Sequence, residues 1–304
     1  MMYTCPHLRQ SIQAGIPLLA ATLLAFAPDA YLPMLARSFM LPATLLLVAM
    51  VLGALVWRTW WVALSALAGA GLLSGVIITP YAFVSSSKGA HDLRVFHMNV
   101  LQPNRAFDEA IAQALASDAD VISVQEVSPQ WAAALHGGLG VAYPYACIEP
   151  RTNCYGIALF SRIPLLDVRL VEVKAPPMVE ACIVLCGRTV RLLAIHATSP
   201  GSYADFRERN TQLAWLGWHL AQDDTTTIVM GDLNTVPWDD AFGRLCGQAR
   251  LRSTTPPFHT TWPVVGPLAV IPLDHVLVSP GISCTTLRTM RVSGSDHRGL
   301  MVDL

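Results

Sequence analysis

Residues 225–234 read TTTIVMGDLN, an apolar β-strand that runs directly into a polar turn. The apolar run at 225–230 predicts the strand, and Gly231 allows the chain to turn sharply after it. Asp232 and Asn234 lie two positions apart and can therefore point the same way. The carboxylate can hold or deprotonate a water, and the amide can donate a hydrogen bond to a phosphate oxygen. The common alternative is an Asx turn at the end of a strand.

A carboxylate, amide or imidazole stands at the end of an apolar run at five other places. They are HMN at 97–99, QE at 125–126, IHA at 195–197, LDH at 273–275 and GSDH at 294–297. Side chains of these types suit a hard divalent cation and a phosphate when they converge. The pattern therefore predicts a metal-dependent phosphoesterase.

Strands and helices alternate through the second part of the chain. Strands are predicted at 93–98 and 120–124, and apolar residues at helical spacing follow the first of them at 107–115. Ser128 and Pro129 have the types expected at the N-cap and first position of a helix. Such alternation, with several hairpin signals, favours mixed sheets covered by helices.

Five residues at these strand ends are candidates, each with a structural alternative. Glu126 follows a buried strand, where a carboxylate needs a partner such as a cation, although it can also be a surface acid. His196 and His297 can stabilise charge on phosphorus or protonate a leaving group, although a histidine at a strand end is often structural. Asp274 can orient a histidine or cap a turn. Asn99 is the weakest alone, because asparagine often ends strands.

The remaining histidines are interpreted as ordinary structural residues. His275 of the LDH motif is interpreted as structural. The others have no supporting context in the sequence; they are His7, His91, His97, His136, His219 and His259.

Residues 1–84 are predicted to form a membrane anchor. Apolar stretches at 12–27, 39–57 and 60–83 contain few charges, and the second and third have the length of a spanning helix, about 20 residues. A cleaved signal peptide would explain one stretch but not three, and a buried helical hairpin would normally carry a polar face. About three transmembrane helices are therefore expected, followed by a polar linker at 85–91.

Nearly all the charge lies in residues 88–304, which include the predicted catalytic domain at 92–304. These residues hold 17 Lys and Arg against 20 Asp and Glu, a net charge of −3. Proteins that grip nucleic acid without sequence preference usually show a basic face or a run of Lys and Arg. The sequence has no such run, so nucleic acid is possible but not favoured as a substrate.

The few charges of the front end predict its orientation. With three spans, Arg9 and Arg58 fall on one side of the membrane, and Arg37, offset by Asp29, falls on the other. The positive-inside rule then places the N-terminus in the cytoplasm and the catalytic domain outside it.

Two cysteines raise the question of a disulfide. Cys147 and Cys154 flank Pro150 and Arg151, a plausible two-residue hairpin turn. In such a hairpin they would face each other at a distance that a disulfide can close. The alternative is that all the cysteines of this domain are ordinary buried thiols, and the sequence leaves both readings open.

The ordered motifs resemble the endonuclease/exonuclease/phosphatase superfamily, which includes DNase I-like nucleases, sphingomyelinases and inositol polyphosphate 5-phosphatases. The matching segments span about residues 92–304; they are FHMN at 96–99, VQE at 124–126, GIALFSRIP at 156–164, AIH at 194–196, GDLN at 231–234, LDH at 273–275 and GSDHR at 294–298. The resemblance implies a four-layer α/β sandwich, in which two mixed β-sheets pack face to face with helices outside. It also implies Mg²⁺ or Mn²⁺ as cofactor, but it selects no substrate.

Roles at the metal follow from the same resemblance. It implies that Glu126 is the metal ligand and that Asn99 lies near the metal and the phosphate. Asp296 resembles the acid that assists the metal or its water.

The resemblance also implies catalytic roles. Asp232 would position and activate the attacking water, while Asn234 and His196 would contact the scissile phosphate. Asp274 and His297 resemble the Asp–His pair of the superfamily.

The substrate is predicted from what the chain lacks and from its anchor. The segment 235–272 is short, without evident insertions for gripping DNA, so the chain resembles the compact, membrane-anchored bacterial members of the superfamily. We expect a multi-pass protein of the bacterial inner membrane that acts on a lipid-linked phosphate or pyrophosphate in the bilayer. A tethered nuclease for DNA or RNA and a non-catalytic binding module are the alternatives. The sequence suggests no protein partner.

Overall fold

The computed structural model describes residues 6–78, 92–173 and 176–304, without the side chains of the first eight of these. The described chain divides into two compact units. One contains the helices of 6–78 together with Pro237–Asp240, and the other contains the rest of the described chain. The linker expected at 85–91 lies outside the described residues, so the three-part division of the chain stays a prediction.

The first unit is a group of apolar helices. They are α1 (Pro6–Ala25), α2 (Tyr31–Ser38), α3 (Met40–Val56) and α4 (Trp60–Ile78). α4 packs against both α1 and α3. A Cβ atom at Gly69 would lie 3.0 Å from Cβ of Ala21 and 3.2 Å from the Pro17 carbonyl oxygen. The missing side chain therefore lets α1 and α4 approach closely.

One helix of this unit meets the requirements for a membrane span by itself. α4 is long and apolar enough to cross a membrane. α2 and α3 reach that length only when they are counted together, and the chain bends by 55° between them. The described apolar part of α1, Ala14–Ala25, is shorter than a span. The described residues thus provide one candidate span, or two if the bent pair counts as one.

The second unit is built on two six-stranded sheets. The first sheet contains, in spatial order, β13 (Thr286–Arg291), β14 (Arg298–Asp303), β1 (Arg94–Asn99), β2 (Val121–Gln125), β4 (Ile157–Ser161) and β3 (Tyr145–Glu149). The second contains β5 (Leu166–Val171), β6 (Met178–Leu185), β7 (Arg188–His196), β8 (Thr226–Asp232), β12 (Asp274–Val278) and β9 (Arg252–Ser253). Both sheets are mixed, because β1 and β2 are parallel, as are β7 and β8, while the other pairs are antiparallel.

Helices complete the four layers that the resemblance implies. The helices are α5 (Phe107–Ala116), α6 (Pro129–Leu139), α7 (Tyr203–Leu220) and α8 (Asp240–Gln248). Side chains alternate along each strand. In β1, Val95 packs between the sheets, and Phe96 packs outward with Trp131 of α6. On the second sheet, Val229 of β8 packs outward with Leu216 of α7.

A small hairpin lies apart from the two sheets. It pairs β10 (Trp262–Val265) with β11 (Leu268–Ile271). Val265 and Leu268, at its tip, are 63% and 68% exposed. The hairpin thus exposes two apolar side chains at its tip.

The turn predicted between Cys147 and Cys154 is wrong. The hairpin forms, but Glu149 pairs with Ile157, so Cys154 lies in the loop and Cys147 pairs with Leu159. The loop is long because its backbone bonds to the end of the neighbouring strand: the amide of Arg151 donates to the Val127 carbonyl. Both cysteines are free thiols.

Candidate active site

The inner face of the second sheet ends in a layer of polar side chains. In β8, Ile228 and Met230 lie in the core between the sheets, and Asp232 follows in the same alternating series. The register places His196 of β7 opposite Asp232 on one side and Asp274 of β12 opposite it on the other. These side chains are almost fully buried. Strand register alone therefore brings three predicted residues together.

The first sheet supplies the facing half of the site. Asn99 is the last residue of β1 and is fully buried. Its side-chain nitrogen donates to Glu126 Oε1 at 3.0 Å and to Asp232 Oδ2 at 3.3 Å. One amide thus bridges the two sheets and holds two predicted carboxylates close to each other.

The backbone turns sharply to place Glu126. Its φ angle is +65°, in the left-handed region that residues other than glycine rarely adopt. The turn lets Glu126 Oε2 accept a hydrogen bond of 2.8 Å from the amide of Gln102, while Oε1 faces Asn99. Residues held in this region tend to cluster at functional sites, which supports the role predicted for this carboxylate.

Asp274 accepts hydrogen bonds from two histidines. Nδ1 of His297 lies 2.9 Å from its Oδ2, and Nε2 of His97 lies 2.6 Å from its Oδ1. The predicted Asp274–His297 pair is present. Nothing in the sequence singled out His97, but the fold brings it against a partner that is 177 positions away along the chain.

His297 and His196 converge on Asp232. Nε2 of His297 lies 3.6 Å from Asp232 Oδ2, and Nε2 of His196 lies 3.7 Å from the same oxygen. Both imidazoles therefore border one small volume beside the carboxylate. Two nitrogen atoms that face the same point can act together on one phosphoryl group.

The electrostatics give these groups different charges. Burial, with the Asp274 carboxylate as the second cause, raises the pKa of Asp232 to about 7. Burial opposes protonation of His297, but Asp274 and Asp232 outweigh it and raise its pKa to about 10. Burial, reinforced by His297, lowers the pKa of His196 to about 3. Burial also opposes ionisation of Asp274, yet His297 holds the pKa of that carboxyl well below its ordinary value. At neutral pH the site thus combines a base, a cationic imidazole and a neutral one.

Asn234 lies in a tightly held turn. Its backbone amide donates to Asp232 Oδ1 at 2.9 Å, and its side-chain nitrogen donates to the Ala197 carbonyl at 2.8 Å. Arg209, which is fully buried in α7, donates to the Asn234 carbonyl at 3.0 Å. An amide nitrogen carries two hydrogens, so one N–H remains for the predicted contact with phosphate.

Tyr155 is a neighbour of the site that the sequence did not reveal. Its ring centroid lies 5.1 Å from that of His196, and its hydroxyl accepts a hydrogen bond from the amide of Ser199 at 3.1 Å. Burial raises its pKa to about 12, so it stays a neutral phenol. Tyr155 immediately precedes the GIALFSRIP segment, and this position beside a superfamily motif was the one sequence feature that could have pointed to it.

The residues predicted as metal ligands offer oxygen atoms of the kind that a divalent metal takes. Trp262 Nε1 donates to Asp296 Oδ2 at 2.8 Å, while Asp296 Oδ1 is buried without a hydrogen-bond partner among the described residues. An unpaired buried carboxylate oxygen is costly and suits a cation. Asn99 and Glu126, which are hydrogen-bonded to each other, add oxygen donors of the kind that Mg²⁺ prefers.

A second group of ligand atoms fits a metal less well. Single atoms of Asp232, Asp274 and His297 all lie within 4.8 Å of one another. Both oxygens of Asp274, however, already accept hydrogen bonds from imidazoles. We therefore interpret this trio as a hydrogen-bonded catalytic network rather than the metal site.

Gly231 lets β8 pass beside β7 just before Asp232. Its φ angle is +156°, and a Cβ atom there would lie 1.8 Å from the Ile195 carbonyl oxygen. Gly231→Ala is expected to destabilise the fold by about 1–3 kcal/mol or more, because the two strands must separate. Gly137→Ala in α6 is the control, since a Cβ there meets nothing within 4 Å. Thermal unfolding followed by circular dichroism measures both, and an unchanged midpoint for Gly231→Ala would contradict the packing described.

Comparison with known families agrees with this geometry. Residues 97–297 match the profile of the Endonuclease/Exonuclease/phosphatase family. The chain belongs to this family. Its members are metal-dependent hydrolases of phosphoester bonds, so the protein is an enzyme of that class. No curated protein sequence matches the chain.

Several solved structures share the fold of this Endonuclease/Exonuclease/phosphatase family member. A 3′ phosphatase from Neisseria bound to a product DNA hairpin gives a TM-score of 0.56 at 16% identity, covering 70% of this chain and 99% of its own. Sphingomyelinase C from Streptomyces griseocarneus gives 0.52 at 15% identity, covering 69% and 98%. Beta toxin from Staphylococcus aureus with bound magnesium ions gives 0.54 at 15% identity, covering 70% and 99%. At such identities the likeness establishes the fold and leaves the substrate open.

Proposed function

We propose that the protein is a membrane-tethered phosphoesterase that uses Mg²⁺ or Mn²⁺ to hydrolyse a lipid-linked phosphate or pyrophosphate. The observation that carries the hydrolytic activity is the convergence of Asn99, Glu126, Asp232 and the Asp274–His297 pair in one cluster. A hydrolase needs these groups within reach of one phosphoryl centre. The Mg²⁺ bound to the beta toxin supports the choice of metal.

The residues of the site suit in-line attack by water on phosphorus, in which the bond to the ester or anhydride oxygen opposite the water breaks and that oxygen leaves with its group. Asp232, with a pKa near neutral pH, holds the water and accepts its proton. The cationic His297 and the neutral His196 donate hydrogen bonds to the phosphoryl oxygens, where negative charge accumulates. Asn234 donates a further hydrogen bond and fixes the orientation of the group. The metal, when bound near Glu126, Asn99 and Asp296, offsets charge on a phosphoryl oxygen.

The exposed faces of the helices support a membrane tether. Leu45, Leu46 and Leu52 of α3 are more than 60% exposed, and Leu64 and Leu67 of α4 are more than half exposed. Only 33% of the apolar 18-residue stretch of α4 is buried, whereas a core helix of a soluble protein would be mostly buried. Leucines on outward faces need an apolar surrounding, which a bilayer supplies. We extend the tether to about three spans in a bacterial inner membrane, with the catalytic domain outside the cytoplasm, as the positions of Arg9, Arg37 and Arg58 favour.

A lipid substrate is favoured by the surface next to the site. The Trp262 side chain and the amide of Val264 in β10 both donate to Asp296, which precedes His297. The same hairpin exposes Val265 and Leu268 at its tip. An apolar projection beside a phosphoesterase site suits the chains or interface of a lipid better than the phosphates of a nucleic acid.

The segment between α4 and the catalytic domain is long enough for the active site to reach a membrane surface. Thirteen residues separate Ile78 of α4 from Asp92, and they span at most about 45 Å. β1 then rises about 20 Å to Asn99 at the other end of the domain. The tether is therefore long enough for the catalytic pocket to meet the membrane surface.

A nuclease is the second candidate, because two proteins of the same fold were solved with product DNA. The full-length protein in detergent with Mg²⁺ would be given a polyprenyl pyrophosphate and plasmid DNA, with released phosphate and nicked plasmid as readouts. We expect phosphate release without nicking, and a large loss of that release in Glu126→Gln at the same Mg²⁺ concentration. Nicking without phosphate release would reverse the choice. Absence of both activities would leave a binding module as the better description.

The exposed hairpin gives a sharper prediction. Val265→Ser with Leu268→Ser is expected to lower hydrolysis of a lipid pyrophosphate in vesicles by about tenfold or more, because burial of two such side chains is lost. Hydrolysis of a water-soluble phosphodiester by the same variant should stay unchanged. Val141→Ser is the matched control, since Val141 is 96% exposed and precedes β3 at the end of the sheet away from the site. Equal losses on both substrates would contradict a lipid-binding role.

A further inference from the structure

His97 is a buried residue that the hydrolytic scheme does not yet use. It lies on β1 two positions before Asn99, and the side chains of His97 and Asp274 are both 0% exposed. The 2.6 Å contact between them crosses from the first sheet to the second. A fully buried polar contact between two sheets is costly unless its groups are fully hydrogen-bonded. The contact between His97 and Asp274 therefore suggests a functional role.

The contact completes the bonding of the Asp274 carboxylate. Oδ1 faces His97, and Oδ2 accepts from Nδ1 of His297 at 2.9 Å. The backbone beneath is also held, because the amides of Leu273 and Asp274 donate to Thr261 Oγ1 at 3.1 and 3.2 Å. Each oxygen of the carboxylate is therefore held by one imidazole.

The contact with Asp274 identifies the tautomer of His97. Nδ1 is buried and has no hydrogen-bond partner in the part of the chain that the structure describes. The ionised Asp274 carboxylate has no hydrogen to donate, so Nε2 of His97 must carry the hydrogen of their 2.6 Å contact. The ring hydrogen therefore lies on Nε2 and is donated to Asp274.

We propose that His97 is a positioning residue for hydrolysis: it fixes the Asp274 rotamer, and Asp274 in turn holds His297 with Nε2 beside Asp232. The proposal rests on the role of His297 in the proposed function. His97 itself touches neither water nor phosphate and acts only through Asp274. Partners that orient a functional histidine typically contribute 10–100-fold to activity.

The test is a double-mutant cycle on the full-length protein in detergent. We would measure kcat and KM for bis(p-nitrophenyl) phosphate with Mg²⁺ in His97→Leu, Asp274→Asn and the double variant. His97→Leu is expected to lower kcat by about 10–100-fold with KM unchanged. In the Asp274→Asn background the same change should have no further effect, because its only route of action is already lost.

A conservative variant separates positioning from stability. His97→Gln places an amide N–H near the same carboxylate, so its kcat should return most of the way to that of the wild type. Thermal unfolding of all variants shows how much each fold is weakened. A full kcat in His97→Leu, or an equal loss in both backgrounds of the cycle, would overturn the proposal.

A crystal structure of His97→Leu provides a readout that needs no activity. We expect the Asp274 carboxylate to rotate and its 2.9 Å contact with His297 Nδ1 to be lost. An unchanged Asp274–His297 pair would refute the positioning role even if the enzyme were inactive on the chosen substrate. Inactivity of the wild type with a rotated Asp274 in the variant would instead count against the proposed function alone.

Discussion

Replacing Asp232 by asparagine is expected to lower kcat by about 10³-fold while the fold stays intact. Asp232 Oδ2 is the oxygen on which Asn99, His196 and His297 converge. The amide has nearly the same size but accepts no proton, so the attacking water loses its base. General-base catalysis typically contributes 10²–10⁴-fold, and the buried position of Asp232 favours the upper half of that range.

The measurement is steady-state phosphate release with Mg²⁺, with circular dichroism to verify folding. Asp224→Asn is the matched control, because Asp224 is exposed and lies just before the opposite end of the same strand, β8. The control should keep full activity. If Asp232→Asn retained more than about a tenth of the wild-type kcat, Asp232 would not be the base.

Replacing Glu126 by glutamine should have the second-largest effect. We expect the Mg²⁺ concentration for half-maximal activity to rise by about 100-fold or more, because an anionic donor is lost from a site of few hard oxygens. Glu126 is partly exposed and reaches the site through its left-handed backbone. Glutamine can keep the contact with the amide of Gln102, so the loop should stay in place.

Activity measured over a range of Mg²⁺ concentrations, together with calorimetric titration of Mg²⁺, checks this effect. Glu109→Gln, an exposed change in the first turn of α5, controls for the loss of one negative charge. An unchanged Mg²⁺ dependence in Glu126→Gln would place the metal elsewhere.

Strand-end residues were predictable because local pattern determines where they lie. The apolar run before Asp232 predicts a buried strand, and a polar residue that continues its inward-facing series must end the core. The same reasoning applies to Asn99, His196 and Asp274, which the structure places in one layer. The four-layer fold then follows from alternation of strands and helices together with the superfamily resemblance.

Contacts between distant segments were not predictable. His97 gave no signal, because its partner Asp274 lies in the other sheet and no local spacing connects them. The turn at Pro150 was expected to be short, since the sequence does not show that Arg151 bonds to the backbone of Val127. The assignments of metal and phosphate contacts to Glu126, Asp296 and Asn234 stay predictions.

The apolar front end was partly predictable in the same way. Composition indicated long apolar segments, and two of them correspond to α3 (Met40–Val56) and α4 (Trp60–Ile78). Composition did not show that the chain bends by 55° between α2 and α3. The described residues therefore hold one candidate span, or two if the bent pair is counted as one, and no hydropathy pattern specifies that bend.

Anomalous X-ray diffraction from crystals soaked in Mn²⁺ would most directly test the central claim, that a cation binds among the acids and amide of the first sheet. Mn²⁺ takes the same oxygen ligands as Mg²⁺. We predict an anomalous peak in contact with a carboxylate oxygen of Glu126, close to Asn99 and Asp296. A peak held instead by Asp274 and His297, with none at Glu126, would contradict the assignment of the metal site and of the catalytic network beside it.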